Sequence, residues 1–124
     1  MRVLVTGGHD STDVLVVTPT DAWDMITYVV SPPASEIVSG VMPVARGAHA
    51  QVSMSDGNIL VSGGFSTTWD NPLDTADIMD PDDFTWTSAA PMLETREQHA
   101  LVSISGDRVL AIGGRKSLVD PFDI

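Results

Sequence analysis

The chain has no cysteine. Disulfides and thiolate metal sites are therefore excluded, and the redox compartment cannot be read. It has one tyrosine, Tyr28, and only six basic residues among 124. No apolar run approaches the roughly 18 residues that a membrane-spanning helix needs. The amino terminus, MRVLVTGG, has one basic residue and then a strand-like run ending at two glycines. It lacks the small-residue cleavage site of a secretory signal. These features leave the localisation unknown, with the cytoplasm as the default.

Basic residues are scarce, and acidic ones are not. The balance is 17 acidic to 6 basic, a net charge of −11. Nucleic-acid phosphate would be repelled, so neither DNA nor RNA is expected as a partner. An anionic membrane surface is disfavoured for the same reason. Many aspartates fall in turn-like stretches such as DPDD at 80–83 and WDNPLD at 69–74. Asp suits such places because its side chain bonds to nearby backbone and it tolerates turn geometry. Solvated turns account for the acidity better than a charge-selective surface does. A hydrophobic share of 43% argues against wholesale disorder, and the length suits one domain.

What the chain does have is repetition. VLVTGG at 3–8, ILVSGG at 59–64 and VLAIGG at 109–114 are near-copies. MPVARGAHAQVSM at 42–54 and PMLETREQHALVSI at 91–104 form a second set. Arg46 and Arg96, His49 and His99, and Gly64 and Gly114 each stand fifty positions apart. A fixed period of that size marks an array of β units, each stacked on the next.

The clearest unit spans 46–96. His49–Met54 alternates as a half-buried strand (a), and the Asp56-Gly57 turn returns the chain into Ile59–Ser62 (b). Gly63-Gly64 ends strand b, residues 65–75 read as a loop, and Ala76–Asp80 is strand c. After a turn at 81–83, Phe84–Thr87 supplies strand d. The next unit restarts with strand a at His99–Ile104 and strand b at Arg108–Ile112. The first unit enters at strand b, Val3–Thr6.

Two alignments of residues 9–41 compete. An ungapped one pairs Tyr28-Val29-Val30 with strand c but puts Glu36 where Trp86 should be. A gapped one pairs Val14–Val17 with strand c, Thr18-Pro19 with Asp80-Pro81, and Trp23 with Trp86. The gapped reading is preferred because it recovers the turn proline and the tryptophan together. It makes 25–41 an inserted hairpin.

The order of strand, Gly-Gly, Asp-Pro with Trp five residues on, then Met-Pro or Pro-Met with Arg and His, resembles the kelch repeat. Galactose-oxidase-like propellers carry similar repeats. The resemblance is strongest over 42–114. Met79 stands where a tyrosine usually precedes the Asp-Pro turn. The resemblance implies an all-β, kelch-type β-propeller fragment of two to three four-stranded antiparallel blades. Blade 1 is expected at about 1–41 without its first strand, blade 2 at about 42–90, and blade 3 at about 91–124 with its first two strands only. Family members close a ring of several blades. This strand count is not a closed ring on its own, so the chain is read as part of a larger propeller. Self-assembly and an adapted stand-alone fold are the alternatives. Open blade faces would leave apolar surface and free strand edges, and so a route to self-association.

Gly7, Gly8, Gly63, Gly64, Gly113, Gly114, His49, His99, Trp23 and Trp86 are repeat positions and are expected to be structural. A histidine in each of two successive blades argues against a shared metal or acid–base site. Antiparallel blades place the d–a and b–c connections at one end, and family ligands usually dock there. Arg46, Arg96 and Trp69 lie at that end and are the candidate ligand-binding residues, since guanidinium forks match carboxylates. The competing reading has both arginines bonding to backbone or to neighbours such as Glu94 and Glu97. VLVTGGHDS also resembles the opening of a dinucleotide-binding domain, but Ser11 replaces the third glycine and no helical pattern follows. The cysteine–tyrosine cross-link of galactose oxidase is excluded in a cysteine-free chain. No catalytic set, metal cluster or cofactor site stands out. The expected role is a binding or scaffold module that contacts another protein. The alternative is a fragment of a kelch-fold enzyme, similar to sialic-acid epimerases or galactose oxidase, with its catalytic residues outside this chain.

Overall fold

A computed structural model describes the backbone of residues 3–6, 27–31 and 34–37, and residues 42–66 and 71–116 in full. The described residues contain strands and no helix. The first sheet holds β1 (Val3–Thr6), β2 (Thr27–Ser31) and β3 (Ala34–Ile37). The central sheet holds β4 (Ala50–Ser53), β5 (Ile59–Ser62), β6 (Ala76–Met79) and β7 (Trp86–Ser88). The third holds β8 (Ala100–Ile104) and β9 (Arg108–Ile112). Each sheet runs in chain order with antiparallel neighbours. This is the four-stranded meander expected for 46–96, followed by its first half again.

The preferred alignment of the first unit is overturned. β2 pairs directly with β1, Thr6 opposite Thr27 and Val5 opposite Tyr28. That is the place β6 takes beside β5, where Ser62 faces Ala76 and Val61 faces Asp77. The hairpin at 27–37 is therefore strands c and d of the unit and not an insertion. β-branched Thr27, Val29 and Val30 suit a strand better than the turn proline and tryptophan could signal one elsewhere. Val14–Val17 and Trp23 lie outside the described residues, as do Gly7, Gly8, His9 and Trp69.

One strand boundary also differs from expectation. Strand d starts at Trp86 because Phe84 sits at φ 60° and closes a turn, its N–H donating to the Asp80 carbonyl at 2.8 Å. The β4–β5 turn has one residue at positive φ. Gly57 alone takes that conformation, at φ 93°, and the Met54 N–H bonds to the Asn58 carbonyl at 2.8 Å. This is a three-residue loop ending in a left-handed glycine. Asp56 holds it by accepting from the Asn58 backbone N–H at 2.9 Å.

The core of the central sheet is Met42, Val61, Phe65, Ala76 and Met79. Its neighbour is the third sheet, with β8 packed against β4. Backbone bonds join the two sheets: Gly64 N–H to the Arg96 carbonyl at 2.9 Å, and Gln98 N–H to the Ala48 carbonyl at 2.8 Å. Among the described residues nothing covers the far side of the third sheet, and Val102, Ile104, Leu110 and Ile112 are exposed in strict alternation. Such alternation, with apolar residues on an uncovered face, is what a blade without its next neighbour should show.

The paired glycines have separate duties. Gly64 and Gly114 sit at φ 79° and 82°, and a Cβ on either would lie 2.3–2.4 Å from a carbonyl oxygen of its own sheet. Gly63 is pressed by the next blade: its Cβ would meet the Arg96 carbonyl at 2.3 Å and His99 Cε1 at 2.6 Å. Gly113, at the same repeat position and φ 69°, has nothing within 4 Å. Alanine at Gly113 should therefore cost only the left-handed strain, about 1 kcal/mol. Alanine at Gly63 should cost about 2–3 kcal/mol, because packing strain is added. Chemical denaturation of the two variants checks this, and equal losses would contradict the junction described.

Candidate functional site at the d–a and b–c end

Loop 63–75 and loop 89–99 converge, as the strand order requires. The Met92 N–H bonds to the Asp74 carbonyl at 2.8 Å and the Arg96 N–H to the Leu73 carbonyl at 3.1 Å. The two candidate arginines lie at this end but are used differently. Arg46 is fully buried. Its Nη1 donates to the carbonyls of Gly63 (3.0 Å) and Thr75 (3.1 Å), and its Nη2 to Thr75 Oγ1 (3.2 Å) and Asp77 Oδ2 (2.7 Å). Burial pulls the Arg46 pKa below its ordinary value, while the Asp77 charge and hydrogen bond oppose that shift. The fork clamps strands b and c of its own sheet, as the backbone-bonding reading expects. A guanidinium so enclosed presents no face to a ligand.

Arg96 is different. Its Nη1 donates to the Gly113 carbonyl at 2.7 Å, the same first contact that Arg46 makes with Gly63. Among the described residues it also reaches Glu94, an exposed carboxylate at 3.5 Å. Two further cations join it. Arg115 is paired with buried Glu97, and Lys116 lies 3.1 Å from Glu94. Burial raises the Glu97 pKa despite the opposing charge and hydrogen bond of Arg115. Arg96, Arg115 and Lys116 are half of the six basic residues in the chain. At the opposite end the a–b and c–d turns carry Asp56, Asp80, Asp82, Asp83 and Asp107. Two Thr85 donors, its hydroxyl and its N–H, hold the Asp83 carboxyl below its usual range. Among the described residues, the three cations at the d–a and b–c end stand against Asp74, Glu94 and Glu97, whereas the opposite end sets five aspartates against Arg108.

His49 and His99 both pack against glycines that follow a strand b. The backbone and Cβ of His49 and of His99 press on Gly64 and Gly114 respectively. His99 crosses to the central sheet, its Nε2 lying 3.0 Å from Ser62 Oγ. Burial, with Arg96 and His49 adding to it, lowers the His99 pKa to about 4, so the ring is neutral at pH 7. The pairing resembles a serine–histidine dyad in outline, but Ser62 is 1% exposed and His99 8%. No group of three potential metal ligands occurs among the described residues.

Sequence reasoning singled out neither Asp77 nor the Glu97–Arg115 pair. The second was within reach. The β8–β9 hairpin pairs Ala100 with Ile112, and counting three residues outward puts Glu97 opposite Arg115, as the structure has it. Asp77 carried no such signal, because its role depends on a guanidinium arriving from another strand connection.

A family model described as the Kelch motif matches residues 46–93. Residues 46–93 carry a kelch motif. Its matched stretch is the four-stranded central sheet with the arginine that locks it, so the kelch repeat and the blade coincide. Kelch-like protein 7 of Gallus gallus and that of Homo sapiens are each 39% identical over 46 residues, which is 37% of this chain. The match covers 8% of the length of those relatives. The kelch-type blade explains the clamp: every blade needs strand c tied to strand b, and a buried arginine with an aspartate does so in this one.

Proposed function

We propose that the chain is a kelch-repeat binding module that recognises an acidic segment of a partner protein at the d–a and b–c end. The reading is carried by the gathering of Arg96, Arg115 and Lys116 at that end of a molecule whose net charge is −11. Guanidinium groups recognise carboxylates in a fork geometry, and the like-charged remainder of the surface steers an acidic partner away from other sites. The similarity to Kelch-like protein 7 supports a role in interaction. The division into blades at about 1–41, 42–90 and 91–124 belongs to the same proposal.

The test uses a fluorescent oligoglutamate peptide and anisotropy at low and moderate salt. Lys116→Glu, which spares the Arg115–Glu97 pair, should weaken binding several-fold, since a favourable charge becomes repulsive. Salt should weaken the wild-type interaction as well. Affinity that ignores both the variant and the salt would refute the reading.

A further inference from the structure

Asp56-Gly57 is the one Asp-Gly step in the chain, and Asn-Gly does not occur. Such a step carries its own chemistry. The amide nitrogen of the second residue attacks the aspartyl carboxyl, and glycine, with no Cβ, hinders that nitrogen least. The nitrogen loses its proton and bonds to Cγ, and one carboxyl oxygen leaves as water. The product is a cyclic succinimide, and water then adds to either of its carbonyls. Opening at Cγ restores aspartate. Opening at the former main-chain carbonyl leaves the chain running through Cγ, as isoaspartate, and frees that carbonyl as a carboxylate. One water leaves and one is taken up, so the mass is unchanged and no oxidant or reductant takes part.

Ser55, Asp56 and Gly57 are exposed, so the water for the second step is at hand. Both reacting groups are nevertheless tied. Asp56 Oδ1 accepts from the Asn58 backbone N–H and Oδ2 from Asn58 Nδ2, each at 2.9 Å. The Gly57 N–H is turned back toward strand a, donating to the Met54 carbonyl at 3.1 Å. The carboxylate is thus spent on the residue beyond Gly57, and the nitrogen that would attack it is engaged elsewhere. Ring closure needs the two in a reactive pose, and every bond that holds them otherwise lowers the population of that pose. The loop has little room for the product. Isoaspartate would add a methylene to the main chain between the Met54 N–H and the Asn58 carbonyl, which are bonded across it. Ser55 in the same loop meets Asp107 in the turn of the next sheet, so the change would reach that contact too.

We propose that Asp56 is the site of isoaspartate formation in this chain and that the Asn58 side chain is the latch that keeps the reaction slow. Asp56 and Gly57 supply the reacting pair, and Asn58 Nδ2 withholds the carboxylate from it. The latch lies apart from the Arg46 clamp, the Ser62–His99 contact and the cations of the d–a and b–c end, so its loss leaves those contacts in place.

The whole 124-residue chain is incubated at mildly acidic pH, and isoaspartate at position 56 is followed over weeks by peptide mapping. Electron-transfer fragmentation tells the β-linked product from aspartate. Wild type should convert slowly, and Asn58→Ala about fivefold faster, the change in rate that loss of one such hydrogen bond implies. Asn58→Asp, which sets a carboxylate where the donor stood, should convert at least as fast as Asn58→Ala. Adding Gly57→Ala to Asn58→Ala should slow the reaction again, because a methyl group then shields the nitrogen. A Cβ at Gly57 meets nothing within 4 Å, so only the left-handed strain opposes that substitution. Gly113→Ala loosens the fold at a distant loop and should convert like wild type. Equal rates for wild type and Asn58→Ala would overturn the proposal. So would a rise in Gly113→Ala that matches the rise in Asn58→Ala, since looser folding and not the latch would then set the rate. A double variant as fast as Asn58→Ala, or isoaspartate formed mainly at another aspartate, would overturn it as well.

Discussion

Asp77→Ala should destabilise the chain by about 3–5 kcal/mol, the range expected when one partner of a buried ion pair is removed. Arg46 has no exposed surface, and Asp77 is 3% exposed. Without Asp77 the guanidinium keeps its positive charge in a dehydrated space, with two carbonyls and one hydroxyl as its acceptors. The loss should appear in urea unfolding as a lower midpoint with an unchanged slope. Asp77→Asn keeps an acceptor and should cost less, about 1–2 kcal/mol. Arg46→Met combined with Asp77→Leu should fall short of the sum of the single losses, since neither charge is then stranded. It should still be less stable than wild type, because the Gly63 and Thr75 carbonyls lose donors. An Asp77→Ala chain within 1 kcal/mol of wild type would show that the clamp carries little of the blade's stability.

This clamp also shows where reading the sequence succeeds and where it stops. The strands of the central and third sheets were legible because alternation and Gly-Gly endings are local properties, repeated at a fixed spacing. β4, β5, β6, β8 and β9 fall within one or two residues of expectation. The first unit was not legible in the same way. Its preferred alignment trusted a proline and a tryptophan, whereas pairing is decided by which residues can lie flat beside β1, and Thr27–Ser31 can. Turn markers constrain a strand's end but not its partner.

The site was half legible. The arginines were placed at the correct end of the blades because strand order alone determines it. Their different fates were not visible in their matching sequence contexts. Arg46 is enclosed because β6 covers β5, and Arg96 is partly open because the described residues put no such strand on β9. Burial of a repeated residue is set by its neighbours in space, so two matching motifs can yield an enclosed arginine in one blade and a partly open one in the next. The same reasoning separates Gly63 from Gly113, which share a backbone conformation and differ in what presses on them.

Acidification should weaken the junction between the central and third sheets through His99. Its folded pKa is about 4, against 6.5 for the free side chain, chiefly because burial disfavours the charged ring. Arg96 and His49 push in the same direction. Above pH 6.5 both folded and unfolded chains hold a neutral ring, and the full stability is present. As pH falls from 6.5 toward 4, the unfolded chain takes up a proton that the folded chain refuses, so stability drops. Below 4 the penalty is complete, about 3 kcal/mol for this group. Glu97 acts in the opposite sense, because its raised pKa favours the folded state at lower pH. The two must be separated by variants. Denaturation between pH 7.5 and 4 should show wild type losing about 3 kcal/mol more than His99→Gln does over the same range. Glu97→Gln should steepen the acid loss, since the opposing group is gone. Wild-type and His99→Gln curves that run parallel would mean that the imidazole is not the titrating wedge. The Ser62–His99 contact would then lock the two sheets without sensing pH.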